Sequence, residues 1–99
     1  MDNTHLPELA DLFRLLGDAS RLSIVLHCMQ APIAVTEIAN QTNLSQSLVS
    51  HHLRLLKAAR LVKAQRQGRQ IFYQVADFHI TAMLSNMLEH MQEPHPDLD

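Results

Sequence analysis

Along most of this chain apolar residues recur three and four positions apart, and in one stretch, between Ala59 and Asp77, the period falls to two. That switch constrains the fold more than any other feature. A period of 3.6 buries one face of a helix and a period of two buries one face of a strand. Before the switch, Leu6, Leu9, Phe13 and Leu16 mark a first helix closed by Gly17. Asp18 is placed to cap a second helix, with Leu22, Val25 and Leu26 apolar and an end near Pro32. Thr36 is the expected cap of a short third helix holding Ile38 and Ala39 and broken at Asn43. Ser45 then caps a longer fourth, where Val49, Leu53 and Leu56 form an inner row at i, i+4 and i+7. Inside the switch, Val62, Ala64, Ile71, Tyr73 and Val75 alternate with polar residues around Gln67-Gly68, a hairpin whose glycine supplies a positive φ. Asp77 caps a last helix with an apolar stripe of Ile80, Met83, Leu84, Met87, Leu88 and Met91. The predicted order is α-α-α-α-β-β-α, a mainly α (α+β) fold.

At 99 residues the chain has room for a single domain, 1–99, with 93–99 read as a frayed tail. No apolar run approaches the ~18 residues of a membrane span, and no basic-then-apolar leader opens the sequence. There is one cysteine, Cys28, so neither an internal disulfide nor a site with two thiolates from one chain can form. The cytosol is the expected compartment. Aromatic residues make up 4%, too few for single-stranded nucleic acid bound on stacking platforms.

The net charge of −2 conceals its distribution. From Ser45 to Val75 the chain carries Arg54, Lys57, Arg60, Lys63, Arg66 and Arg69 and no Asp or Glu. A third of the molecule with one sign of charge implies an anionic partner. A short helix, a tight turn and a longer helix describe a helix-turn-helix, with 36–42 leading into a recognition helix over 45–59. If Val49, Leu53 and Leu56 face inward, the outward face holds Gln46, Ser47, Ser50, His51, Arg54 and Lys57. An ordinary solvated helix mixes both charge signs. Short polar residues followed by Arg and Lys suit the edges and phosphates of duplex DNA. The turn Arg66-Gln67-Gly68-Arg69 fits as a basic wing beside that helix, adding affinity more than sequence choice, with Lys63 at its base.

Three runs, Leu15-Leu16-Gly17-Asp18-Ala19-Ser20-Arg21-Leu22, Leu44-Ser45-Gln46-Ser47-Leu48-Val49-Ser50-His51-His52-Leu53 and Arg66-Gln67-Gly68-Arg69, resemble the ArsR/SmtB family of metal-responsive winged-helix repressors. The resemblance covers nearly the whole chain. It implies a winged helix-turn-helix, a homodimer packed through the first and last helices, and an inverted-repeat DNA operator.

The last helix carries Asp77, His79, His90 and Glu93 in the pattern D-x-H-x10-H-x-x-E. His79 and His90 lie on one face but ~16 Å apart along the axis, so they cannot share a metal within one chain. Both pairs, Asp77/Glu93 and His79/His90, share a midpoint near Leu84-Ser85. Two such helices packed antiparallel about a two-fold axis there bring Asp77 and His79 of one chain to His90 and Glu93 of the other, giving two N2O2 sites per dimer. Two imidazoles and two carboxylates suit tetrahedral Zn(II), with Co(II) as a mimic; Ni(II) asks for further ligands, for which His95 and His5 are candidates. The bland alternative makes Asp77 a helix cap and the histidines surface residues.

The SmtB-like branch has this same spacing, and that resemblance supplies two expectations geometry does not. Metal lowers DNA affinity and derepresses metal-homeostasis genes, and His90 relays the signal by donating towards the Arg60 backbone at the end of the recognition helix. The chain departs from relatives that sense soft metals through a Cys-x-Cys motif, since Ala34-Val35-Thr36-Glu37-Ile38 has no thiol. Cys28 is therefore expected as a buried small apolar residue, and His27, His51 and His52 as surface or DNA-facing residues. Two rival functions stay open: a winged-helix repressor answering a redox or partner signal with a vestigial metal site, and a small metallohydrolase. The second is disfavoured because four ligands in a helix interface leave no open coordination position.

Overall fold

The structure, a computed structural model, describes residues 4–94. Its elements are α1 (Leu6–Leu16), α2 (Ala19–Gln30), β1 (Ile33–Ala34), α3 (Val35–Thr42), α4 (Gln46–Ala58), β2 (Val62–Gln67), β3 (Gln70–Val75) and α5 (Phe78–Gln92). The fold is the expected winged helix-turn-helix with one addition, the strand β1. It pairs antiparallel with β3, Ile33 opposite Tyr73 and Ala34 opposite Phe72, so the sheet has three strands in the order β1-β3-β2. Two residues are too few to display an alternating pattern, which is why periodicity does not reveal the strand.

Most helix boundaries follow from local chemistry. Asp18 Oδ2 accepts the Arg21 N–H at 3.0 Å and Ser45 Oγ accepts the Leu48 N–H at 3.1 Å. Each satisfies one of the orphan donors of a first turn. Thr36 does not play that part. The chain enters α3 straight from β1, Ala34 is the N-cap and no side chain caps the helix. Asn43 ends α3 in the left-handed conformation, φ 61°.

The end of α4 has a form the sequence does not announce. Arg60 takes φ 60°. Its N–H donates to Lys57 O, and the Leu61 N–H donates to Leu56 O. These are the two bonds of a Schellman ending, in which glycine usually holds the left-handed position. Leu56 and Leu61, both buried, provide its hydrophobic contact.

The core joins Leu15, Leu16, Ile24, Val25, Ile38, Val49, Leu53, Leu56, Leu61 and Val62, with Leu84 as the one buried residue of α5. Cys28 belongs to it, as expected, and burial pushes its thiol up to about 12. The predicted apolar faces of α1 and α5 are only partly covered. Leu6, Leu9 and Phe13 on the first, and Met87, Leu88 and Met91 on the last, stay exposed, Met91 at 69%. The radius of gyration is 15.2 Å, against about 13 Å for a compact domain of this length. Among the described residues no helix is long and apolar enough to cross a membrane.

Candidate nucleic-acid interface and metal half-sites

The recognition helix presents the residues its pattern predicts. Gln46, Ser47, His51, Arg54 and Lys57 are exposed and Ser50 is half-buried, while Val49, Leu53 and Leu56 point into the core. Leu48 and Leu55, seven residues apart, also reach solvent, so the outward face is less uniformly polar than expected. Lys63 on β2 and Arg66 and Arg69 around the hairpin turn are exposed, with Gly68 at φ 62° shaping the tip.

His52 departs from the expectation of a surface or DNA-facing residue. It is only 8% exposed, and its Nδ1 is buried without a hydrogen-bond partner. The reason is positional. Residue 52 lies three after Val49 and four before Leu56, inside the arc that the helix turns to the core. The helical spacing alone assigns residue 52 to the core, and the polar side chain masks that assignment. Burial pushes its pKa below the ordinary imidazole value; the Asp18 charge pulls the other way, and Arg21 and His51 add to the lowering. His27 is half-buried and its Nδ1 meets Ser23 O at 2.8 Å, whereas His51 is exposed.

The four candidate metal ligands bracket α5. Asp77 is its N-cap and Glu93 its C-cap, both with extended backbone, so these two carboxylates stand at the two ends of the helix. Asp77 Oδ1 accepts the His79 N–H at 3.0 Å and lies 3.3 Å from His79 Nδ1. Ligands about 2.0–2.1 Å from a tetrahedral ion lie about 3.3–3.4 Å from one another. The spacing of this oxygen and nitrogen therefore fits two corners of such a site. Phe78 lies against the imidazole, ring centroids 4.1 Å apart. His90 and Glu93 are exposed at the far end. Among the described residues no three His, Cys, Asp or Glu side chains of one chain gather into a metal site. The candidate ligands stand as two pairs, one at each end of α5. His95 lies outside the described residues. His5 is described, and its Nδ1 meets Glu8 Oε1 at 3.4 Å.

Asp77 and His79 do not stand apart from the DNA-reading unit. They line one hollow together with Lys57 and Arg60 from the end of the recognition helix, Lys63 of β2 and Glu8 of α1. Within it Arg60 Nη2 lies 3.4 Å from Glu8 Oε2. Sequence reasoning missed Glu8, because a lone acid on an exposed helix face carries no local signal.

Residues 18–64, from the cap of α2 into β2, match the family model described as bacterial regulatory protein, arsR family; the four candidate ligands lie beyond that span. The chain is 36% identical to a transcriptional repressor SmtB homolog of Synechocystis over 87% of its own length, spanning 65% of that relative. It is 33% identical to the HTH-type transcriptional regulator NmtR of Mycobacterium tuberculosis, over 96% of this chain and 79% of that one. Among solved structures, that of apo-NmtR has a TM-score of 0.78 at 30% identity and covers 100% of this chain and 89% of its own. The homodimeric winged helix-turn-helix DNA-binding domain (fragment 1–100) of a Mycobacterium bovis protein gives 0.81 at 25% identity, covering 100% of this chain and 97% of that one. These relatives are regulators of transcription and not enzymes, and a recognition helix, a basic wing and a match of this extent place the chain in the arsR family of bacterial regulatory proteins.

Proposed function

We propose that the chain is a metal-responsive transcriptional repressor, working as a homodimer on an inverted-repeat operator and losing DNA affinity when metal binds. The observation that carries this reading is the placing of Asp77 beside His79, at tetrahedral spacing, in the hollow formed by the end of the recognition helix. A ligand pair there adjoins the element whose position decides DNA binding. The exposed apolar faces of α1 and α5 support a dimer through these helices, since an uncovered Leu, Phe and Met surface favours a second copy. The M. bovis domain is described as homodimeric.

In that dimer His90 and Glu93 of one copy complete the half-site of Asp77 and His79 in the other, giving two Zn(II) sites, with Co(II) or Ni(II) as alternative occupants. A bound ion supplies a tie between the two last helices, fixing how far apart the recognition helices stand. Duplex DNA accepts one separation, about one helical turn. Arg60 lines the same hollow as Asp77 and His79, which supports the Arg60 backbone as the partner for the second ring nitrogen of a coordinated His90. On the DNA side, Gln46, Ser47, Ser50, His51 and Arg54 face base edges, and Lys57, Lys63, Arg66 and Arg69 face phosphates. Coordination needs neutral imidazoles, so protons compete with the metal for the site.

The test is fluorescence anisotropy of a labelled operator with and without Zn(II). Weaker DNA binding by the loaded protein is expected. Reciprocity requires operator DNA to weaken Zn(II) binding by the same factor. Equal or tighter binding by the loaded protein refutes the reading.

A further inference from the structure

Of the ion pairs among the described residues, three join side chains two or three positions apart. The fourth, Glu8 to Arg60, spans 52 positions and links α1 to the C-terminal end of the recognition helix. Its place in the fold is more informative than its strength. Arg60 occupies a left-handed backbone position that glycine takes without strain, and a non-glycine residue there is disfavoured. The long cationic side chain is thus carried there at a backbone cost, and Glu8 is the partner it meets. Both groups line the hollow that holds Asp77 and His79. A divalent ion bound between Asp77 and His79 would raise the local charge by two relative to the metal-free hollow, a change that disfavours the guanidinium there and favours the Glu8 carboxylate moving towards the site, so it would oppose the pair.

We propose that Glu8 and Arg60 form a tie between α1 and the end of the recognition helix that is closed in the DNA-binding state and given up on metal loading. The inference deepens the reading of the protein as a metal-responsive repressor and rests on it. Glu8 and Arg60 are here positioning residues. Neither is offered as a metal ligand, and the Arg60 side chain acts separately from the Arg60 backbone. The tie holds the recognition helix to a helix whose exposed Leu6, Leu9 and Phe13 face the second copy, and so helps to fix the separation of the two reading helices. Both partners are well exposed and 3.4 Å apart, so the effect is small, about 1.5- to 5-fold.

A double-mutant cycle tests it, with Glu8→Gln and Arg60→Gly made singly and together. Glycine keeps the left-handed backbone, so the second variant removes the side chain without disturbing the Schellman ending. Operator affinity is measured by anisotropy at one moderate ionic strength, with EDTA and again with Zn(II). Glu8→Gln is expected to weaken operator binding of the metal-free protein up to about fivefold. The ratio of metal-loaded to metal-free dissociation constants should shrink by a similar factor. In the Arg60→Gly background the same Glu8→Gln change should do nothing to either quantity. The tie is overturned if Glu8→Gln leaves metal-free operator binding unchanged, or if its effect persists in full when Arg60 is glycine. A wild-type protein whose operator affinity ignores Zn(II) instead overturns the metal-responsive reading, and the metal-free cycle still decides whether the tie exists.

Discussion

Replacing His52 by leucine should stabilise the protein, and should do so more at acid pH. In the folded chain the imidazole is 8% exposed and its Nδ1 has no partner, a condition that costs about 1–3 kcal/mol. Leucine has a similar volume and no polar atom. Swaps that conserve volume in a core cost less than about 1.5 kcal/mol. The net gain near pH 8 is therefore about 1 kcal/mol, or about 4–8 °C in midpoint for a domain of this size. The pH dependence follows from the direction of the pKa shift. Burial lowers the folded-state pKa of His52, so between that value and the ordinary 6.5 the unfolded chain holds a proton that the folded chain does not. Stability from this group is fully present above 6.5 and is lost as pH falls through 6.5 towards the folded value. All other ionisable groups are common to both proteins, so the difference isolates residue 52. Urea melts in EDTA at pH 8, 6.5 and 5.5, at fixed protein concentration because a dimer's stability depends on it, give the comparison directly. An advantage for His52→Leu that fails to widen between pH 8 and 5.5 refutes the claim that a neutral buried imidazole sits there.

Four further outcomes are expected. Gly68→Ala should cost about 1–2 kcal/mol in thermal melts, entirely through its φ of 62°, because an added Cβ meets nothing within 4 Å; no loss would show that the turn relaxes to another type. Arg54→Ala should weaken specific operator binding by about 1–3 kcal/mol, and Lys63→Ala should lower the salt slope of binding without changing preference, both read from salt titrations. Mixing His79→Ala with His90→Ala chains should restore one of two metal sites, since both defects fall on one site of the mixed dimer; a mixed dimer that binds no metal excludes the antiparallel cross-chain arrangement.

What was legible in the sequence is what local chemistry determines. Asp18, Ser45 and Asp77 each cap the helix they were expected to cap, because a short polar side chain ahead of an apolar period has few other uses. The exposed faces of α4 and the hairpin follow from period and charge alone. What escaped depends on contacts made at a distance. β1 exists because β3 pairs with it, and with that pairing α3 starts from Ala34 without Thr36 as its cap. Arg60 ends α4 in a glycine's conformation with no glycine to signal it. The Glu8 partner of Arg60 comes from the other end of the chain. Asp77 caps the start of α5 as expected and Glu93 caps its end, so the spacing between the two candidate ligand pairs is the length of α5 itself.

The two-residue strand β1 has a mechanical consequence. It lies immediately before α3 and is bonded to β3, whose other edge carries β2 and the turn at Gly68. The start of the helix-turn-helix and the wing thereby share one sheet and form one jaw. A dimer of such chains is a caliper with two stiff jaws. In such a caliper the gap and the tilt between the jaws are set at the contact between copies, away from the teeth.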